Sequence, residues 1–132
     1  MSLKADMKIL VIDDMATMRK IIKIMLSQIG FTNISEADDG ATAWPMIQNA
    51  HEEGSPYEFI VSDWNMPKMS GLDLLKNIRE TDHFKTLPFL MITAEAEQGN
   101  VVIAVKAGVS NFIVKPFSAQ VLKEKIDKIF NK

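Results

Sequence analysis

Four short apolar runs, each stopped by an ionisable or hydroxyl residue, constrain this chain more than anything else in it. Ile9-Leu10-Val11-Ile12 stops at Asp13-Asp14 and Phe59-Ile60-Val61-Ser62 at Asp63. Leu90-Met91-Ile92 stops at Thr93 and Phe112-Ile113-Val114 at Lys115. A run that is apolar almost throughout has no side to turn to water, as in a strand covered on both faces of a parallel sheet. Parallel neighbours need long crossovers, and the segments between these runs are long enough and carry helical periodicity. As parallel strands, the runs would deliver their terminal residues along one edge. That is the carboxyl edge, where open α/β sheets bind their ligands.

The remaining elements fall into place around this frame. A first strand is expected over about 8–12, followed by a helix through Met18, Ile22, Met25, Leu26 and Ile29 that Gly30 ends. Asn33 to Ala37 reads as a weaker strand. Asp39-Gly40 leads into a second helix through Ala43 and Met46-Ile47. Pro45 would be harmless in a first turn and disruptive beyond it, so that helix is expected to start one turn earlier and bend there. His51 to Pro56 reads as a polar surface loop, with both His51 and His83 on the surface. After Pro67-Lys68-Met69-Ser70-Gly71, a third helix runs through Leu72, Leu74-Leu75 and Ile78.

Pro88 opens the fourth strand, where its missing amide donor costs least. A fourth helix over about 98–107 ends at Gly108, and a fifth strand covers about 111–114. Ser118 caps the last helix, whose Val121, Leu122, Ile126, Ile129 and Phe130 form an apolar stripe. Five βα units with right-handed crossovers give an α/β fold: a doubly wound five-stranded parallel sheet of order 2-1-3-4-5 with five helices.

With 132 residues, 1–132 is read as a single domain. A net charge of -2 gives no general attraction to nucleic acid or anionic lipid. The absence of cysteine excludes disulfides, thiolate metal sites and thiol nucleophiles, and agrees with the cytoplasm. No apolar stretch approaches the ~20 residues of a membrane span, and Met1-Ser2-Leu3-Lys4 lacks the apolar core of a signal peptide. Neither GxGxxG nor GxxxxGK[ST] occurs, so a glycine loop for nucleotides is not supported.

Three carboxylates, a hydroxyl and an ammonium on one edge fit a divalent cation and a phosphoryl group. Mg²⁺ takes one or two carboxylates together with waters and phosphate oxygens. Asp14 and Asp63 suit direct ligation, Asp13 ligation through water, and the backbone carbonyl of Asn65 a further position. An Asp-Asp pair alone is more often a turn than a metal site, but Asp63 adds acid from a second segment. Asp63 is the candidate nucleophile, able to form an acyl phosphate. Lys115 would pair with the phosphoryl oxygens and Thr93 would donate a hydrogen bond.

These residues, with Thr17-Met18-Arg19, Asp63-Trp64-Asn65-Met66-Pro67, Gly71-Leu72, Thr93-Ala94-Glu95-Ala96 and Lys115-Pro116-Phe117, carry a resemblance. The chain resembles the receiver domains of bacterial two-component systems, and within them the chemotaxis branch, over residues 7–130. The resemblance implies a flavodoxin-like sheet and a stand-alone response regulator, a monomeric signalling module rather than an enzyme acting on a separate substrate. Asp63 would be phosphorylated by a histidine kinase of the chemotaxis type, with Mg²⁺ held by Asp13, Asp14, Asp63 and the Asn65 carbonyl. Thr93, Lys115 and Phe112 would contact the phosphoryl group or switch with it. Asn65 and Glu95 would tune dephosphorylation, and the Lys115–Pro116 bond would be cis.

The implied partners are the kinase, the flagellar switch protein and a phosphatase. The implied output face comprises helix four, strand five and helix five, including Val101, Val102, Val105, Phe112 and Lys125. Because the sequence ends with its last helix, output is expected through a docked partner and not a DNA-binding domain. Phe112 departs from the tyrosine usual in that branch. A phosphate sink without motor output is therefore the alternative. Trp44-Pro45 and the longer loop at about 49–57 also depart from the pattern. A phosphatase with an aspartyl-phosphate intermediate fits less well, since its second acid would stand two residues from a nucleophile on strand one. A flavin module fits least, because the carboxylates would repel the flavin phosphate.

Overall fold

In a computed structural model that describes residues 5–94 and 98–130, five parallel strands form one sheet of order β2-β1-β3-β4-β5. The strands are β1 (Ile9–Ile12), β2 (Ile34–Ala37), β3 (Phe59–Asp63), β4 (Phe89–Thr93) and β5 (Asn111–Val114). Between and after them run α1 (Ala16–Ile29), α2 (Gly40–Glu52), α3 (Gly71–Glu80), α4 (Gln98–Ala107) and α5 (Ala119–Phe130). This is the doubly wound arrangement that the apolar runs predict.

Alternation along each strand divides the core in two. Ile9, Val11, Phe59, Val61, Leu90 and Ile92 pack with Ile22 and Leu26 of α1 and Leu122 and Ile126 of α5. Leu10, Ile12, Ile60, Phe89 and Met91 pack with Ile47 of α2 and Leu74, Leu75 and Ile78 of α3. All of these side chains are fully buried, each stabilising the fold by roughly 1.5–3 kcal/mol. With both faces covered, the polar ends of the central strands can gather only at the sheet's edges.

Local chemistry sets the helix boundaries. Gly30 ends α1 at a φ of 122°, which favours glycine. Asp39 caps α2 by accepting from the Thr42 amide, and Ser70 caps α3 by accepting from the Asp73 amide. Ser118 caps α5 through the Val121 amide, as expected. Pro45 lies inside α2, which does begin more than a turn before it.

Three expectations need correction. The polar loop begins two residues late, because α2 continues through His51 and Glu52. His51 is half-buried there, stacked on His83 at 4.1 Å and edge-on to Phe84 at 5.3 Å. An imidazole with apolar faces at a helix end packs readily on a buried aromatic ring. Val121 does not join the α5 stripe and is 38% exposed, since Leu122, Ile126 and Ile129 already cover the sheet. Trp44, to which the sequence assigned no role, is partly buried against the core, edge-on to Phe84 at 5.8 Å.

Lys68, in the β3–α3 loop, holds a left-handed φ of 66° that a branched-at-Cβ or long side chain adopts at a cost. Lys68→Gly is expected to raise stability by up to about 1 kcal/mol, read as a higher urea midpoint with an unchanged slope.

Candidate functional site

Sheet register assembles the site. Ile12 of β1 pairs with Ser62 of β3, so Asp13 and Asp63 follow side by side at the carboxyl edge. Thr93 pairs with Val114, which sets Lys115 one residue beyond β5 next to the end of β4. The Lys115 amide donates to the Thr93 carbonyl at 2.8 Å, fixing that approach. Asp13, Asp14 and Asp63 each place a carboxylate oxygen within 4.8 Å of the others. Lys115 Nζ stands 3.3 Å from Asp63 Oδ1 and 3.6 Å from Asp13 Oδ2. The structure therefore brings together the acids and the ammonium that the sequence nominates.

Burial sets the electrostatics of the cluster. Asp13 is 0% exposed and Asp63 7%, whereas Asp14 is exposed. Burial raises the Asp13 carboxyl above its ordinary value, opposed by the Met15 amide and the Lys115 charge. Burial likewise raises the Asp63 carboxyl, with the Asp13 charge adding to it and Lys115 opposing it. One ammonium shared by two buried carboxylates leaves them undercompensated.

The donor set fits Mg²⁺. Asp13 Oδ1 accepts from the Met15 amide at 2.9 Å, but Oδ2 is buried with no hydrogen-bond partner among the described residues. An orphaned buried carboxylate oxygen is costly, and a hard cation or its coordinated water satisfies it. The three acids are the group of potential ligands found among the described residues.

Around the cluster, Thr93 is buried at the end of β4 and Asn65 is exposed two residues past Asp63. Glu95 lies outside the described residues. Phe112 is half-buried, with Lys125 Nζ 5.1 Å from its ring centroid. Thr93, Phe112, Trp64, Met91, Val101 and Ala104 line one apolar void between the sheet and α4. On α4 itself Val102 and Val105 are exposed, at 45% and 61%, while Val101 is half-buried. The Lys115–Pro116 peptide bond is cis, as the resemblance implies.

Two residues that carry the resemblance were given no structural role by the sequence reading. Arg19 donates from Nη1 to the Asp13 carbonyl at 2.7 Å and from Nε to Glu36 at 3.0 Å, tying the β1–α1 turn to β2. Its position one turn into the helix after Asp13-Asp14 was the available signal. Gly71 lies so close that an added Cβ would come within 2.2 Å of the Asp63 carbonyl oxygen and 2.9 Å of Met91 Sδ. Its amide donates to the Trp64 carbonyl at 2.9 Å, folding the β3–α3 loop back on the strand end. Gly71→Ala is expected to cost at least about 2 kcal/mol in denaturant unfolding and to weaken Mg²⁺ binding by displacing Asp63.

The model of the family described as the response regulator receiver domain matches residues 9–127. The chain belongs to the response regulator receiver family. The chemotaxis protein CheY of Pseudomonas aeruginosa is 53% identical to it over 126 residues, 96% of this chain and 98% of that protein. CheY-3 of Vibrio cholerae is 53% identical over 130 residues, 98% of this chain and 96% of that protein. Among solved structures, a chain of the CheX–CheY–BeF3–Mg complex of Borrelia burgdorferi superposes with a TM-score of 0.85 at 28% identity, covering 95% of this chain and 90% of that one. CheY4 of Vibrio cholerae gives a TM-score of 0.80 at 27% identity, covering 95% and 99%. This receiver domain is thus a module of two-component signalling, and its acidic cluster is compatible with Mg²⁺. No helix among the described residues is long and apolar enough to cross a membrane.

Proposed function

We propose that this receiver domain is a cytoplasmic, stand-alone chemotaxis response regulator, a single domain phosphorylated on Asp63 by a histidine kinase and signalling to the flagellar motor switch. The observation that carries the reading is the buried Asp63 carboxylate beside the orphaned Asp13 oxygen, with Lys115 between them. The near-full-length likeness to chemotaxis proteins supports the pathway.

In this reading an Asp63 oxygen attacks the phosphorus of a phosphohistidine or of acetyl phosphate. The new O–P bond forms as the bond to the donor breaks, and the leaving nitrogen or acetate keeps the electron pair. Asp13, Asp14, Asp63 and the Asn65 carbonyl would hold Mg²⁺, which would supply positive charge to the phosphoryl oxygens. Lys115, already beside Asp63, supplies a second cation as a point charge. Thr93 donates to a phosphoryl oxygen, and Asn65 and Glu95 govern access of the hydrolytic water. The chain performs this chemistry on itself; its product is a conformational state, with a phosphatase returning it to rest.

The switch couples Thr93 to Phe112 through the void they both line beneath α4. Phosphorylation draws Thr93 toward the phosphoryl group and biases Phe112 inward, away from Lys125, which reshapes the face bearing Val102 and Val105. A flagellar-switch peptide is expected to bind about tenfold more tightly with Mg²⁺ and beryllofluoride than without, equivalent to about 1.4 kcal/mol of coupling. Trp64, which adjoins Asp63, should report site occupancy by fluorescence in the same titration. Occupancy reported by Trp64 without any gain in peptide affinity would overturn the motor output. Phe112, which offers no hydroxyl to a partner, favours the phosphate-sink reading in that event.

A further inference from the structure

At the amino edge of the sheet, opposite the acidic cluster, a cavity of about 350 Å³ opens between the ends of α3, α4 and α5. Arg79, Thr86, Gly108, Ser110 and Lys128 line it. Arg79 donates from Nε to the Gly108 carbonyl at 2.8 Å and from Nη1 to the Phe84 carbonyl at 3.3 Å. Neither acceptor neutralises its charge, and its second terminal nitrogen makes no hydrogen bond among the described residues. Ser110 Oγ accepts from the Phe89 amide at 3.0 Å, which leaves its own proton to donate.

No carboxylate among the described residues pairs with Arg79 or Lys128. Of the acids flanking these two residues, Glu80 is exposed, Asp82 pairs with Lys85 at 3.1 Å and Asp127 with Lys123 at 3.0 Å. Gly108 is shaped to the arginine: at its φ of +94°, a Cβ would come within 3.2 Å of Arg79 Cδ and Nε. Half-burial makes the uncompensated guanidinium costly, and desolvation accordingly lowers its pKa from the ordinary value.

Two cations and two hydroxyls line one cavity that has no carboxylate in its lining. We propose that this cavity, lined by Arg79, Thr86, Ser110 and Lys128, binds a small phosphate-class oxyanion, either orthophosphate or a phosphate monoester. Arg79 offers the planar donor suited to phosphate oxygens, Lys128 a mobile point charge, and the hydroxyls close the shell. The volume is at the lower end of ligand pockets and suits a phosphate with a small substituent. This site is independent of Asp63 and needs no Mg²⁺.

The test is a titration of the ¹⁵N-labelled full chain with sodium phosphate, without Mg²⁺ and at constant ionic strength. Saturable shifts are expected at the Arg79 Nε–H and the Gly108 and Ser110 amides, with a dissociation constant of about 1 mM. Lys128→Gln, an exposed position, should weaken binding about tenfold without disturbing the Arg79 contacts, and Thr86→Val should weaken it to a lesser degree. Tighter binding of glycerol 2-phosphate than of phosphate would assign the site to a monoester, and the reverse order to orthophosphate. Non-saturable shifts, equal shifts with sodium chloride, or unchanged affinity in both variants would overturn the proposal.

Discussion

Asp63→Asn is expected to reduce Mg²⁺-dependent phosphoryl transfer from acetyl phosphate by at least about a thousandfold, leaving no stoichiometric labelling. The substitution is nearly isosteric, so the buried end of β3 should keep its packing. What is lost is the anion: an amide oxygen neither attacks phosphorus nor balances Lys115, which stands 3.3 Å from Asp63. The variant also carries less charge against Asp13, so metal affinity falls alongside reactivity. Fold integrity is checked in the same sample by the urea midpoint. Stoichiometric labelling that persists in a folded Asp63→Asn chain would remove Asp63 from the mechanism.

Asp13→Asn should have the second large effect, a gain in metal-free stability. The Asp13 carboxyl is raised above 3.8, chiefly by burial. A raised carboxyl means the folded state retains a proton that the unfolded chain has released. Metal-free stability therefore falls as pH rises from 3.8 through the folded-state value, and the cost persists at neutral pH. Removing the charge lifts that cost, about 1.4 kcal/mol for each unit by which the carboxyl is raised. Lys115 keeps Asp63 as its partner, which limits the compensating loss.

The metal-free variant is expected to be more stable than the wild type at pH 7, with the gap closing toward pH 4. Glu36 works the other way: Lys23 and Arg19 lower its pKa, so its contribution is lost on acidification. The difference between the two proteins cancels that background. Mg²⁺ at a hundred times its dissociation constant should stabilise the wild type by about 2.7 kcal/mol and the variant far less. A variant no more stable than wild type without metal would contradict the desolvation argument.

Strand positions and site acids were legible because both follow from one constraint. A sheet covered on two faces needs uninterrupted apolar runs, and its polar termini then have one edge on which to gather. Asp13, Asp63, Thr93 and Lys115 stand out for that reason. Features set by approach between distant segments were not legible. The Gly71 contact with the Asp63 carbonyl depends on how the β3–α3 loop folds back. The Arg19 bond to the Asp13 carbonyl depends on which face of α1 turns toward β2. His51 read as loop because a helix end and a polar loop share a composition, and its stacking partner His83 lies 32 positions away. Val121 read as core because periodicity marks a stripe's centre better than its border.

The most direct test of the central claim is site mapping of the phosphoryl group on the wild-type chain after acetyl phosphate treatment, with Mg²⁺ or with a chelator. One hydroxylamine-labile phosphoryl group per chain, confined to the peptide containing Asp63 and absent with chelator, is the predicted result. A phosphoryl group on another residue, or equal labelling without Mg²⁺, would contradict the account.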